Sequence, residues 1–77
     1  MTLYGVKDIK IGFTGAIINY PNEQVAKRSF TEACKDNMIE FSKHSEDMEL
    51  WKLGEMDETT GSITSKPEYV IGGRDIV

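Results

Sequence analysis

One long helical period constrains this chain more than any other feature. From Glu23 to Asp36 the sequence EQVAKRSFTEACKD places Val25, Ala26, Ser29, Phe30, Ala33 and Cys34 at three- and four-residue spacing. This spacing puts them on one face of a helix, with Glu23, Lys27, Arg28, Thr31, Glu32 and Lys35 on the other. Pro21 and Asn22 precede the run, and Asn22 can cap it by accepting from free amides of the first turn. Glu23 stands one turn before Lys27, the favourable order for an ion pair along a helix. An apolar stripe must be covered, and most of the remaining sequence is patterned as strand. A sheet therefore has to cover it.

Residues 3–11 mix aromatic and β-branched residues without a helical period and read as a first strand, which ends or reaches an edge at Lys7, Asp8 and Lys10. Gly12 and Gly15 bracket Phe13 and Thr14, and residues 16–20 resume as a second strand. A hairpin is the simplest connection, although the glycines equally suit a bulge. Residues 37–45 suggest a short second helix with Met38, Phe41 and Ile39 toward the core, followed by a polar break at residues 44–47.

From Met48 to Met56 the residues alternate, with apolar side chains on both faces near the middle, as in an interior strand. Residues 57–61, Asp-Glu-Thr-Thr-Gly, form a turn whose glycine can take a left-handed conformation, and residues 62–64 pair back. Pro67 then separates a last strand at residues 68–71 from Gly72 and Gly73. The expected fold is α+β, a small antiparallel sheet of about four strands with one main helix, residues 23–36, packed on one face. At 77 residues the chain is read as a single domain, 1–77, with one modest core.

Chemistry is sparse. The single cysteine permits neither an intrachain disulfide nor a cysteine-rich metal site, and its place on the apolar helical face reads as core. The single histidine, His44, reads as an exposed loop residue. Residues 57–61 lack the alternating carboxylates and distal glutamate of a calcium loop, and no phosphate-binding glycine motif surrounds Gly72-Gly73-Arg74. No catalytic residue, metal or cofactor is expected. Nor is a membrane segment, because no signal-like start or apolar run of spanning length is present.

Binding remains. Nine basic residues against thirteen acidic ones give a formal charge of −4, a handicap for a nucleic-acid binder unless the cations cluster on one face. Single-stranded nucleic acid is held by aromatic platforms beside a basic track. The residues that suit this role are Tyr4, Lys7, Lys10, Trp51, Lys52 and Arg74. The aromatics would equally serve as core under the helix or as an oligomer interface, and the scarcity of large side chains favours that use.

Three segments carry a family resemblance: Leu3-Tyr4-Gly5-Val6-Lys7-Asp8, Ala26-Lys27-Arg28-Ser29-Phe30, and the run SEDMELWKLGEMDETTGSI from Ser45 to Ile63. They resemble the small non-structural protein of gokushovirus-type microviruses, tailless phages with single-stranded DNA. That family reads roughly as a "YxVxD" strand, an "AxRxF" helix and "PEDFxLxxLGxFDxxTGxI". Here Ser45 stands where proline is common, and Met48 and Met56 where phenylalanine is frequent, exchanges that preserve apolar volume at the two methionines.

The resemblance implies a non-catalytic phage protein in the host bacterial cytoplasm. It would bind single-stranded DNA and act in the switch from genome replication to single-strand synthesis and packaging. A homo-oligomer, dimer or larger, is expected, with viral or host replication proteins as further partners. The alternative is a protein–protein adaptor contacting replication or procapsid proteins without DNA. Its support is the acidic set Glu46, Asp47, Glu49, Glu55, Asp57 and Glu58 around the hairpin.

Overall fold

A computed structural model describes residues 1–35 and 40–76. Four strands, β1 (Thr2–Asp8), β2 (Gly12–Asn19), β3 (Met48–Met56) and β4 (Ile63–Gly72), form one antiparallel sheet in the order β2-β1-β3-β4. The helix α1 (Glu23–Lys35) packs on one face. The α+β architecture is the one read from the sequence, and β3 is indeed interior.

The cap also forms as expected: Asn22 Oδ1 accepts from the Val25 amide at 2.9 Å, which satisfies one of the free donors of the first turn. Ala26, Phe30 and Cys34, four residues apart, are the buried ridge of α1. With Tyr4 and Leu50 from the two central strands they make the core, and Val6, Tyr20, Met48, Val70, Ile71 and Ile76 pack around it. Val25, expected on this face, is exposed at its edge. Glu23 and Lys27 do pair along the helix, at 3.6 Å.

Two connections differ from expectation. The polar stretch at residues 44–47 breaks helical geometry at His44 but does not end the segment. A 3-10 segment runs from Glu40 to Asp47, and buried Ser45 lies within it. Met38, Ile39 and the side chain of Phe41 lie outside the described residues. Residues 62–64 and 68–71 are not separate strands either, since β4 is continuous from Ile63 to Gly72 and bulges at Lys66 and Pro67, where the two residues stand opposite Leu53 alone. Proline is tolerated there because β4 is an edge strand, and the missing N–H can fall on the side with no neighbour.

The glycine-flanked start of β2 holds both a hairpin and an irregularity. β1 and β2 pair antiparallel, and the register shifts between Tyr4 and Val6, where Gly15, Ala16 and Ile17 stand opposite Gly5 alone. The β3–β4 turn is pinned by Asp57, whose Oδ1 accepts from the Thr59 amide at 2.8 Å, while its carbonyl accepts from Gly61 at 2.7 Å. Gly61 has the left-handed conformation, φ +78°, that the turn requires.

Candidate nucleic-acid interface

The sheet has a second face, opposite α1. Side chains alternate between faces along a strand, and directly paired residues share a face. Tyr4 and Leu50 point to the helix, so Gly5, Lys7, Glu49 and Trp51 point away from it. Phe13 joins them from β2 through its pairing with Lys7, and Tyr69 from β4 through its pairing with Trp51. The result is an aromatic row crossing all four strands.

The Phe13 and Trp51 ring centroids are 5.9 Å apart with the planes at 79°, and those of Trp51 and Tyr69 are 6.0 Å apart at 85°. Trp51 therefore stands edgewise between two outer rings, a favourable packing for ring quadrupoles. Phe13 and Tyr69 are 51% and 48% exposed, and Trp51 is only partly so. Lys7 lies over this array, its Nζ 5.2 Å from the Trp51 centroid and 5.8 Å from that of Phe13.

Two glycines make space for the row. A Cβ at Gly5 would sit 2.8 Å from Leu53 Cδ1 and 3.8 Å from Phe13 Cδ1, and a Cβ at Gly72 would sit 2.8 Å from the Tyr69 hydroxyl. Two carboxylates fix its polar ends. Trp51 Nε1 donates to Glu49 Oε1 at 3.0 Å, and the Tyr69 hydroxyl donates to Asp75 Oδ2 at 3.0 Å. Asp75 belongs to a short 3-10 turn, Gly73–Asp75, that folds the chain beyond β4 back toward the row.

Burial of the hydroxyl, then the hydrogen bond to Asp75, raises the Tyr69 pKa, with the Asp75 and Glu49 charges adding to the shift and the Arg74 charge opposing it. Arg74 precedes Asp75 in the same turn. Lys7 and Arg74 balance Glu49 and Asp75 in formal charge. Ring stacking, rather than a basic field, is what this face offers a ligand.

The six sequence candidates divide accordingly. Lys7 and Trp51 lie at the row, and Arg74 is exposed in the 3-10 turn whose Asp75 meets Tyr69. Tyr4 is not at the row: it is 3% exposed, in edge-to-face contact with Tyr20 at 5.8 Å under the helix, and burial is the main cause of its raised hydroxyl pKa. Lys52 is on the helix-facing side of the sheet because it pairs with Tyr4 and follows Trp51 by one residue. Lys10 sits in the β1–β2 turn, its Nζ 3.2 Å from Asp47 Oδ2, where it ties the turn to the 3-10 segment.

Phe13 and Tyr69 were missing from the candidate set. Strand parity relative to Trp51, with small residues at positions 5 and 72, is the signal that would have found them.

Other groups are less suggestive of chemistry. Cys34 is buried, which pushes its thiol pKa up, so at neutral pH it is the protonated thiol. Among the described residues no group of three or more His, Cys, Asp or Glu gathers as a metal site, and no helix is long and apolar enough to cross a membrane. The acidic residues do not form one patch. Glu46, Asp47 and Glu49 lie at one end of β3, while Glu55, Asp57 and Glu58 lie at the other, separated by about 20 Å of strand.

The model of a family described as phage ORF5 protein aligns with residues 1–76. No curated protein and no solved structure matches the chain.

Proposed function

The chain belongs to the phage ORF5 protein family, and from that premise we propose that it is a phage accessory protein that binds single-stranded DNA on the open aromatic face of its sheet. The observation that carries this reading is the row Phe13–Trp51–Tyr69 with Lys7 above it, left uncovered by the helix. Phe13 and Tyr69 are the stacking platforms, since they are the more exposed rings; Trp51 is the wedge that holds them apart and upright. Their centroids are no more than about 12 Å apart, which suits two or three successive bases of an extended strand.

Only unpaired bases can lie on such rings, so duplex DNA is a poor ligand. Lys7 and Arg74 serve the phosphates. The protein acts by occupancy and not by turnover, in the host bacterial cytoplasm. Motif resemblance to gokushovirus-type proteins supports a role where replication gives way to single-strand synthesis and packaging.

The test is fluorescence anisotropy of labelled oligothymidine and of a duplex, with wild type and with Phe13→Ala/Tyr69→Ala. Each lost platform removes roughly 1–3 kcal/mol of stacking, so the double variant should bind the single strand at least tenfold more weakly while keeping its circular dichroism spectrum. Equal binding by a folded double variant would refute the assignment.

A further inference from the structure

The two edges of the sheet differ in how they are protected. Strand β4 carries Lys66, Pro67 and Glu68 along its outer edge, the charges and proline that discourage pairing with another chain. Strand β2, Gly-Phe-Thr-Gly-Ala-Ile-Ile-Asn, has no charged residue and no proline over its eight positions. It also exposes apolar side chains: Phe13 at 51%, Ile17 at 64% and Ile18 at 43%. Its blunting features are the irregularity opposite Gly5 and the positive φ of Gly12 (+106°) and Gly15 (+80°), which alter twist and leave the edge uncharged.

We propose that β2 is a self-association edge, at which two copies of this chain pair antiparallel and join their sheets into one of eight strands. Charge selects the occupant. The chain carries a formal charge of −4, so two copies meeting at most surfaces bring like charges together, whereas a neutral strand meets its own copy without repulsion.

The pleat selects the register. Phe13 and Ile17 share the open face, and pairing about Gly15 sets Phe13 of each copy opposite Ile17 of the other, two aromatic–β-branched pairs related by the twofold axis. Gly15 on that axis is open, with nothing within 4 Å of where a Cβ would be. Ile18 of each copy then faces Gly12 of the other on the helix side.

Sedimentation equilibrium without DNA tests the pairing independently of any nucleic-acid binding. Wild type should have twice the chain mass at tens of micromolar, Ile17→Glu should have the monomer mass with an unchanged circular dichroism spectrum, and Ile63→Glu, at an equally exposed position on β4, should remain dimeric. A monomeric wild type, or a dimer that Ile17→Glu leaves intact, would overturn the proposal. If Ile17→Glu fails to fold, hydrogen exchange of wild type at two concentrations decides the matter. Amides of residues 12–19 should gain protection as concentration rises; protection that does not change with concentration would refute the pairing.

Discussion

Lys7 and Glu49 oppose each other across the β1–β3 ladder and both attend Trp51, one over its ring and the other on its indole nitrogen. Their signs make opposite predictions. Lys7→Ala should weaken single-strand binding and lower the salt slope by about 0.7, the value for one phosphate contact on a single strand. Glu49→Gln keeps an acceptor for the indole but removes an anion from the face, so affinity should rise, most at low salt. Anisotropy titrations over a salt series would check both, and a loss of affinity in Glu49→Gln would count against the row as the phosphate-facing surface. With Lys7 and Arg74 as the two proposed phosphate contacts, the wild-type slope itself should be shallow, about −1.4.

Among the elements, the hairpin of β3 and β4 depends on Gly54. Its φ is +150°, and the Thr64 carbonyl lies where a Cβ would be, with the Lys66 amide also close. Gly54→Ala therefore adds a backbone collision to an unfavourable dihedral, and should cost about 1–3 kcal/mol or more by urea unfolding. Asn22→Ala, which removes only the α1 cap, should cost about 1 kcal/mol.

Much at this scale was legible in the sequence. The helix, its cap, the interior position of β3 and the Asp57–Gly61 turn all follow from local rules: period, capping chemistry and turn residues. The continuity of β4 through Pro67 was not legible, because proline excludes a central strand but permits an edge strand, and strand order is a tertiary fact. The same limit explains the site. Strand parity alone removes Lys52 from the side of Trp51, but Tyr4 could be placed only once the helix-covered face was known; Tyr69 reaches Trp51 through a direct pairing with the neighbouring strand, and Phe13 through two successive pairings across β1.

For the molecule as a whole, one face of the sheet is committed to α1 and the other is left uncovered by it. The committed face sets the alkaline limit of stability. Burial raises the pKa of Cys34 above its ordinary 9.0 and, with the Glu23 and Glu55 charges adding, that of Tyr4 above 10.0. A folded state that holds these protons more tightly than the unfolded chain is fully stabilised below the unfolded values and loses that stability as pH rises through the folded ones. Melting temperature should therefore fall once pH passes about 9 through these two groups, and a rise in melting temperature from pH 9 to 11 would contradict the burial assigned to them.

The open face bears the central claim, and photocrosslinking tests it most directly. A single-stranded oligonucleotide carrying 5-iododeoxyuridine would be irradiated with the protein, and the adducts located by mass spectrometry. Adducts at Phe13, Trp51 or Tyr69 are the predicted result. Binding with adducts confined to residues of α1 or the 57–61 turn, or no binding at low salt by the folded protein, would contradict it.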